Sequence, residues 1–538
     1  MEKRTVKGLV LFTAAATLAA VAPASSALAA PASPGGDFAG AASIPWGQCA
    51  SPGLQRRGAE CGLLTVPLDY SKPNGKKIQI AVSRIKHKVA DKDYQGVMLV
   101  NPGGPGGSGL TLSVLGEFVP NGAGEAYDWI GFDPRGVGSS VPALHCDDDY
   151  FAGPRPEYVP VSSAIEKTWL SKSKDYAKAC GAAGGDLLSH MTTVDSVNDM
   201  ESIRKSLGAK QINYYGFSYG TYLGQVYGTL HPDKVRRMVL DGNVDVRDVW
   251  YKANLNQDLN FQRNEEIWWG WLAKYDSVYH LGTTAKQVEL RFYAEQNKLR
   301  SAPAGGVVGA SEWTDIFLYA GYYQSTWLEL ADAFAGWANN RDTDVIVAAY
   351  ENYIAPGDDN GFAVYNAVQC TDVQWPQSWN QWKIDNWRTF LQAPYMTWSN
   401  AWFNAPCLYW PAKAQKPVKV DGSKVKSVLF VGTTLDAATP FEGSLEARRL
   451  FPHSALLAEK DQTTHANSLN GNACIDDTIA DYLATGKLPQ RKSGDRPDKT
   501  CDTLPWPDPT AATAFSAQST QSLRADSTAR EPLYPVRH

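Results

Sequence analysis

The sequence predicts an α/β fold, in which a doubly wound and mainly parallel sheet is interrupted by an inserted helical cap. Strands alternate with helical segments along residues 96–240, and this pattern resumes after residue 425. A repeated strand–helix–strand order favours parallel strands covered by helices on both faces. Between these stretches, residues 250–410 hold 14 of the 18 tryptophans, in long helical patterns without buried valine-rich strands. We therefore expect one core that the chain builds in two parts, separated by the cap.

The first 29 residues have the pattern of a secretory signal peptide. Three basic residues precede an apolar run over 8–22, and Ala27-Leu28-Ala29 offers a small-residue cleavage site. The run is short and rich in alanine, which favours a cleaved signal over a retained membrane anchor. No cysteine follows the cleavage site, so a lipid anchor is not expected. The protein is therefore predicted to be secreted and extracellular.

The elements of the core are predicted in chain order. Alternating apolar and polar residues over 77–86 indicate a half-buried strand near a sheet edge. Runs without alternation at 96–100 and 127–132 indicate strands that are covered on both faces. Further strands are predicted at 211–215, 235–240, 425–431 and 455–457, and helices at 194–207, 219–229 and 475–483.

These elements set the expected domain boundaries. The chain is divided into a signal peptide (1–29), a disordered or pro-segment (30–44), the first part of the core (45–249), the cap (250–410), the second part of the core (411–502) and a flexible tail (503–538).

The net charge restricts the class of partner. The full chain carries a net charge of −5, and removal of residues 1–29 takes away three positive charges and one negative charge, leaving −7. An acidic surface of this kind argues against nucleic acid and anionic membranes as partners.

Eight cysteines all lie beyond the predicted signal peptide, and in an exported protein they indicate disulfides. The simplest hypothesis pairs neighbours along the chain: Cys49 with Cys61, Cys146 with Cys180, Cys370 with Cys407, and Cys474 with Cys501. None of these pairs has the close spacing of zinc ligands, so no metal site is expected.

The stretch Gly216-Phe217-Ser218-Tyr219-Gly220 follows a predicted strand and opens a predicted helix. A serine between two glycines at such a turn is typical of the nucleophile elbow of α/β-hydrolases. A serine hydroxyl at its ordinary pKa is a weak nucleophile, so Ser218 needs an imidazole base, which in turn needs a carboxylate. In α/β-hydrolases these residues follow the serine in the order acid, then histidine.

Two of the eight histidines, His453 and His465, lie where the base is expected. His453 precedes the last predicted strand, whereas His465 follows it, so His465 is the predicted base. Asp436 follows strand 425–431 and is the predicted acid, although an aspartate there also suits a turn or a helix cap. Asp241 and Asp245, after the preceding strand, are alternative acids.

An oxyanion hole requires two backbone N–H groups near the serine. We predict the N–H of Tyr219, directly after the nucleophile, and that of Gly104 in the glycine-rich loop 101–109. A phosphate-binding role for this loop is not favoured, because it lacks the lysine of a P-loop and the spacing of a dinucleotide fingerprint.

Four motifs taken together resemble one known family. They are the loop 101–109, Gly131-Phe132-Asp133-Pro134-Arg135-Gly136-Val137-Gly138, the elbow with its extension to Gly224, and Leu435-Asp436-Ala437-Ala438-Thr439-Pro440. With them the chain resembles the secreted bacterial tripeptidyl aminopeptidases, which are α/β-hydrolase-fold serine peptidases related to prolyl aminopeptidases. The resemblance covers residues 46–501. It implies Ser218 as nucleophile, Asp436 as acid, His465 as base and residues 102–106 as the oxyanion loop. Thr464 and Ala466 flank His465 where the family commonly has a glycine, so a different local loop shape is expected.

The resemblance implies release of short peptides, typically tripeptides, from free N-termini through an acyl-enzyme, without a cofactor. Such an enzyme needs a carboxylate for the substrate α-ammonium, about 10 Å from Ser218 for three extended residues. Candidates in the cap are Asp258, Glu265, Glu266 and Glu312, and the alternative is that each is a solvated helix charge. The expected partners are thus peptides with free N-termini. Two further hypotheses remain: a secreted esterase or small-molecule hydrolase, and a binding protein that has lost activity.

Overall fold

The computed structural model describes residues 42–511, so the predicted signal peptide, most of segment 30–44 and most of the predicted tail lie outside the described residues. Within the described part, ten strands form one sheet. They are β1 (Gly47–Gln48), β2 (Glu60–Pro67), β3 (Lys77–Ile85), β4 (Val97–Asn101), β5 (Asp128–Phe132), β6 (Ile212–Phe217), β7 (Val235–Asp241), β8 (Val428–Thr433), β9 (Ser454–Lys460) and β10 (Lys499–Asp502).

The strand order across the sheet is β1-β2-β3-β5-β4-β6-β7-β8-β9-β10. Pairing is antiparallel from β1 through β3 to β5 and parallel from β5 to β10. The predicted mainly parallel, doubly wound sheet is therefore confirmed. β3 is the third strand from one edge, which agrees with the predicted position of strand 77–86 near a sheet edge, although it is more buried than the predicted half, with six of its nine residues buried. β1, β2 and β10 were not predicted.

Helices of the core cover both faces of this sheet, and a long helical insertion separates β7 from β8. The helices are α1 (Pro52–Arg56), α2 (Ser163–Gly184), α3 (Thr193–Ser206), α4 (Tyr219–Leu230), α5 (Tyr251–Lys274), α6 (Asp276–Tyr279), α7 (Ala285–Leu299), α8 (Ala310–Tyr322), α9 (Trp327–Asn340), α10 (Thr343–Tyr353), α11 (Asn360–Asp372), α12 (Trp379–Phe390), α13 (Thr397–Asn404), α14 (Phe441–Leu450) and α15 (Ala473–Thr485).

Helix starts follow ordinary capping chemistry. Thr192 and Asp195 form a reciprocal capping box at the start of α3, and the Ser162 hydroxyl accepts the Ile165 N–H at the start of α2. Each side chain satisfies a backbone N–H that has no partner within its helix. Shorter 3₁₀ turns join the larger elements at Asp91–Asp93, Leu110–Phe118, Pro120–Ala126, Gly185–His190, Pro232–Lys234, Gln324–Thr326 and Ala405–Leu408.

Side chains of the central strands point alternately to two hydrophobic clusters, one on each face of the sheet. In β4, Val97 and Leu99 belong to one cluster, while Met98 and Val100 belong to the other. This is the period of two expected for a strand, here with apolar residues on both faces. Because β4 and β6 to β9 are parallel, the loops that follow them all lie at the same side of the sheet, beyond the carboxyl ends of these strands.

The insertion, residues 251–408, is entirely helical in its regular elements and packs in two different ways. Helices α5 to α10 enclose a hydrophobic cluster of their own, whereas α11 to α13 join the cluster on one face of the sheet. Most of its tryptophans are structural, and the fully buried ones are Trp268, Trp269, Trp313, Trp327, Trp375, Trp382, Trp398 and Trp402. The tryptophan-rich composition therefore mainly reflects packing of large rings.

Four disulfides join the neighbour pairs of the sequence hypothesis, Cys49–Cys61, Cys146–Cys180, Cys370–Cys407 and Cys474–Cys501. The described start of the tail is packed rather than loose, because Trp506 contacts Trp327 edge-on and the Pro507 carbonyl accepts the Trp271 indole N–H. Among the described helices, none has the length and apolar character needed to cross a membrane.

Candidate active site

Ser218 stands at the turn between β6 and α4, with φ 53° and ψ −125°. A non-glycine residue in this region is strained, and such strain is typical of a nucleophile elbow. The flanking glycines are required by close approach: a Cβ on Gly216 would lie 2.5 Å from the Gly220 carbonyl oxygen, and one on Gly220 would lie 2.7 Å from the Asn101 carbonyl oxygen. Strand, helix and glycine-rich loop therefore meet around Ser218.

Asp436 and His465 form a buried pair beyond the carboxyl ends of the strands, on the same side of the sheet as Ser218. His465 Nδ1 lies 2.9 Å and 2.8 Å from the two carboxylate oxygens of Asp436, and both residues are almost fully buried. A hydrogen bond from Nδ1–H to the carboxylate leaves Nε2 as the basic nitrogen of the imidazole. The Tyr322 carbonyl of the insertion accepts the His465 backbone N–H at 2.9 Å and helps to fix the histidine loop.

The Asp436 carboxylate is held by its own turn. The backbone N–H groups of Ala438 and Thr439 donate to Oδ1, each at 2.9 Å, and the Thr439 hydroxyl donates to Oδ2 at 2.9 Å. The two interpretations of Asp436 from sequence, a turn residue and a histidine partner, are therefore both satisfied by the same side chain. The hydrogen bond from the Thr439 hydroxyl was not predicted from the sequence.

The charges around the imidazole shift its pKa. Burial opposes protonation of His465, but attraction by Asp436 and the hydrogen bond to it outweigh burial, and Asp241 adds to this effect. The pKa of His465 therefore lies above its ordinary value.

Asp241 is a second buried carboxylate close to this pair. It ends β7, its backbone oxygen accepts the Ser218 N–H at 3.0 Å, and its Oδ2 accepts the Ser468 N–H at 2.8 Å. Burial raises the pKa of Asp241 to about 6. Asp241 thus links the nucleophile turn to the histidine loop, whereas Asp436 is the residue that contacts the imidazole.

Ser218 and His465 line the same cavity. Among residues 42–511 no hydrogen bond joins the two side chains. In hydrolases without substrate this contact is often long and tightens only when substrate binds. The three predicted residues are thus brought together in space, with the Asp436–His465 bond formed and the Ser218–His465 bond open.

The predicted oxyanion donors adjoin the serine. Tyr219 is the first residue of α4, and its N–H belongs to the first helical turn, where backbone donors have no intrahelical partner. Gly104 lines the cavity beside Ser218. The loop approaches the elbow so closely that a Cβ on Gly103 would lie 2.9 Å from the Tyr219 nitrogen.

Asp133 holds the glycine-rich loop in place. Its Oδ1 accepts the Ser108 hydroxyl at 2.6 Å and the Gly109 N–H at 3.0 Å, while Oδ2 accepts the Ser139 N–H at 2.8 Å. The residue after Pro134, Arg135, forms a buried two-point ion pair with Asp199 at 2.8 and 2.7 Å. The motif 133–138 therefore supports the loop that lies against Ser218.

Helix α5 of the insertion ties together the loops that carry the acid and the histidine. Asn264 donates from Nδ2 to the carbonyl oxygens of Leu435 at 3.0 Å, Gly321 at 3.0 Å and Thr463 at 3.4 Å. Arg263 also donates to the Leu435 carbonyl, at 2.6 Å. These long-range contacts had no sequence signal, since both residues resemble ordinary polar positions of a helix.

The cavity beside Ser218 has a volume of about 610 Å³ and is bounded by the loops that follow the parallel strands and by the insertion. We call it the central cavity. Of the predicted anchors for a substrate amine, none is among its lining residues. The carboxylates that do line it are Asp245, Asp248, Asp358 and Glu442.

Each predicted anchor lies elsewhere in the insertion, with hydrogen bonds or burial of its own, and so does not line the central cavity. Glu312 forms the capping box of α8 and accepts the Arg155 N–H at 2.7 Å. Asp258 accepts the Asn400 amide at 2.9 Å. Glu266 is exposed and accepts the Gln262 amide at 3.0 Å. Glu265 is fully buried, and burial raises its pKa well above the ordinary value.

Comparison with known proteins adds the family to this geometry. A family model described as "TAP-like protein" matches residues 393–501, and one described as "alpha/beta hydrolase fold" matches residues 96–286. The tripeptidyl aminopeptidase of Streptomyces lividans is 42% identical over 463 residues, which cover 84% of this chain and 86% of that protein. The chain belongs to the tripeptidyl aminopeptidase family. The resemblance predicted from the four motifs is thereby confirmed, as is the α/β-hydrolase fold.

Two further relatives have other names. The serine protease Hip1 of Mycobacterium tuberculosis is 31% identical over 484 residues, covering 83% of this chain and 89% of that protein. Carboxylesterase B of Mycobacterium tuberculosis is 29% identical over 455 residues, covering 80% of this chain and 85% of that protein. This tripeptidyl aminopeptidase family member therefore has relatives that are named as peptidases and relatives that are named as esterases.

Proposed function

We propose that the protein is a secreted serine exopeptidase that releases short peptides, typically tripeptides, from free N-termini. Ser218 is the nucleophile, His465 the base and Asp436 the acid. The observation that carries the proposal is the meeting of Ser218 with the buried Asp436–His465 pair at one cavity of a chain 42% identical to a tripeptidyl aminopeptidase. A metal or organic cofactor has no part in the mechanism.

In the acylation step, Ser218 Oγ attacks the carbonyl carbon of the scissile peptide bond while His465 Nε2 takes the hydroxyl proton. The N–H groups of Tyr219 and Gly104 stabilise the oxyanion. His465 then gives its proton to the leaving amine, the C–N bond breaks and the acyl peptide stays on Ser218. Asp436 holds the imidazole in the required tautomer and stabilises its positive charge.

In the deacylation step, a water molecule loses a proton to His465 and its oxygen attacks the ester carbonyl carbon. Collapse of the second oxyanion breaks the bond to Ser218 Oγ, which regains the proton from His465. The peptide leaves as a carboxylic acid, so one water is consumed for each peptide bond cleaved.

The substrate amine requires a negatively charged partner within the central cavity. We place this partner among Asp245, Asp248, Asp358 and Glu442, which line the cavity. Asp248 is the most buried of the four, at 9% exposure. Its carboxylate also accepts hydrogen bonds from Lys252 and Asn256, each at 2.8 Å, which fix its position.

The helical insertion serves as the cap that closes the cavity, with boundaries near residues 250 and 410. Secretion rests on the signal-like pattern of residues 1–29, and four disulfides suit an oxidising compartment. Peptides with free N-termini are the substrates under this proposal.

An esterase is the second candidate function, and the relative named carboxylesterase B is the observation that favours it. The triad does not distinguish esters from amides, because both react through the same acyl-enzyme.

A matched pair of substrates separates the two functions. A tripeptidyl p-nitroanilide with a free amine and its N-acetylated twin are each incubated with wild-type protein and with the Ser218→Ala variant. The exopeptidase proposal predicts turnover of the free peptide by wild type alone and loss of at least about 100-fold in kcat/KM on acetylation. Equal turnover of both twins, or turnover of a simple acyl ester only, contradicts it and supports the esterase.

A further inference from the structure

A second, smaller cavity lies next to the central cavity and shares two of its walls. It has a volume of about 70 Å³, and Tyr322 and Phe403 line both cavities. We call it the side cavity. Tyr322 also lies beside the histidine, with its ring centroid 6.0 Å from that of His465. The side cavity therefore adjoins the cavity that Ser218 lines, across the Tyr322 and Phe403 side chains.

The walls of the side cavity are mostly aromatic and come from both parts of the molecule. The rings other than the two shared ones include Tyr150, Phe151, Tyr158, Trp169, Tyr319 and Trp402. Rings arranged around a small space offer edge and face contacts to another ring. The volume is several times the 10–15 Å³ that one water molecule needs and about half the ~150 Å³ of a cavity that binds benzene, so an aromatic ring enters fully only if the wall side chains move apart.

The charged groups of the side cavity neutralise each other. Arg155 and Asp315 both line it and form an ion pair with each other, and Tyr158 donates to the same Asp315 oxygen. The Arg155 side chain is only 10% exposed, and one of its terminal N–H groups donates to the Ile354 carbonyl at 3.2 Å. Because the pair has no net charge, the cavity does not favour a charged ligand.

One buried donor of this cavity is left unpaired. Within residues 42–511, Nε of Arg155 has no hydrogen-bond partner. A buried N–H without a partner is costly, and this one lies within the cavity wall, with less than 1 Å² of accessible surface. The guanidinium already lies over the Phe151 ring, 5.3 Å from its centroid, which shows that ring contact suits this group.

We propose that the side cavity is a specificity site that receives one aromatic side chain of the peptide substrate. The inference rests on the proposed peptidase function and extends it, because it assigns a class of residue to a particular pocket. Leu318 of α8 forms an aliphatic wall of this pocket and is 7% exposed. The size of the residue 318 side chain therefore sets how large a substrate side chain can enter the pocket.

The test uses free hexapeptides of alanine in which phenylalanine replaces one residue at positions 1 to 5. Cleavage rates are measured for wild type, for Leu318→Phe, which narrows the pocket, and for Leu318→Ala, which widens it. Leu330→Ala is the matched control, since Leu330 is a fully buried insertion leucine that does not line either cavity. It reports the effect of losing a buried leucine elsewhere.

The expected result is a preference for phenylalanine at one position, of roughly fivefold to tenfold in kcat/KM over alanine. Leu318→Phe should reduce this ratio to about onefold to twofold, and Leu318→Ala should extend the preference to tryptophan. Leu330→Ala should keep the wild-type ratio. Ratios that stay at the wild-type value in both Leu318 variants would overturn the proposal, and the cavity would then hold water only.

Binding to the Ser218→Ala variant distinguishes failure of this proposal from failure of the peptidase function. Calorimetric titration with the preferred phenylalanine peptide and with the all-alanine peptide is made with and without Leu318→Phe. Tighter binding of the phenylalanine peptide that is lost with Leu318→Phe supports the side cavity even if wild type does not cleave peptides. Equal binding of both peptides to all variants contradicts it, whatever the activity.

Discussion

The sheet and the helical insertion contribute to the site in different ways. Ser218, Asp436 and His465 follow strands β6, β8 and β9, and the oxyanion loop follows β4, so the reacting groups all belong to one edge of the sheet. The insertion supplies cavity walls and the contacts of Asn264 and Tyr322 that hold the acid and histidine loops. The comparison indicates that the sheet carries the proposed reacting groups, while the insertion supplies cavity walls and holds the loops of the acid and the histidine.

The largest effect is expected where the sheet supplies the chemistry. Asp436→Asn removes the charge that orients His465 and should lower kcat by about 10³–10⁴-fold. Asp342→Asn is the matched control, because Asp342 also accepts two backbone N–H groups of its own turn, at 3.1 and 3.4 Å, but has no histidine partner. Steady-state kinetics on a free tripeptidyl p-nitroanilide provides the measurement. A loss below tenfold in Asp436→Asn would assign the acid elsewhere.

The next effect tests whether the insertion positions the triad. Asn264→Ala removes one hydrogen bond from α5 to each of the two loops and a third to Gly321 of α8. We expect kcat to fall by roughly tenfold to 100-fold, because small displacements of reacting groups are costly. Asn339→Ala, which removes one amide contact to the Tyr279 carbonyl within the insertion, should leave kcat unchanged. An unchanged kcat in Asn264→Ala would restrict the insertion to substrate binding.

Local sequence patterns were sufficient to predict the site residues that follow the strands of the sheet. Ser218, Asp436 and His465 each follow a strand that is recognisable from a short apolar run, and their order along the chain is that of the fold. The partners of these residues were not predictable in the same way. Thr439 and Asn264 act through particular hydrogen bonds. The partners of Asn264 are Gly321, Leu435 and Thr463, which are separated from it in sequence by 57, 171 and 199 positions.

The predicted amine anchors show the same limit. A carboxylate on a helix of the insertion looks alike in sequence whether it caps a helix, as Glu312 does, or is buried, as Glu265 is. Which carboxylates reach the central cavity depends on how the insertion packs against the sheet. Similarly, β1, β2 and β10 lie at or near the sheet edges, where short or mixed patterns give a weak strand signal.

A smaller effect concerns pH and Asp241. His465 must be neutral to act as base, so kcat/KM should fall as pH decreases through its raised pKa. Asp241→Asn removes a negative charge that helps to raise this pKa, so the acid limb of the profile should move to lower pH. Asp476→Asn is the control, because Asp476 is also a buried carboxylate that accepts backbone N–H groups but does not contribute to the pKa shift of His465. A limb that moves to higher pH in Asp241→Asn contradicts this account.

The smallest effect is expected for Glu265→Gln in the insertion. Burial raises the pKa of Glu265 well above its ordinary value and so favours the neutral carboxyl group, for which glutamine is a close replacement. We expect KM for a free tripeptidyl substrate to stay within about twofold of wild type, and unfolding free energy to change by less than about 1 kcal/mol. A tenfold rise in KM confined to substrates with a free amine would restore Glu265 as the anchor.

The most direct test of the central claim is made on Ser218 itself. Wild type and Ser218→Ala are treated with a fluorophosphonate probe, assayed on a free tripeptidyl p-nitroanilide, and compared in thermal unfolding. We predict that wild type is labelled on Ser218 and hydrolyses the substrate, while Ser218→Ala has the same unfolding temperature, no label and at least about 10³-fold lower kcat. Labelling of another residue, or retained turnover in a folded Ser218→Ala variant, would contradict the account.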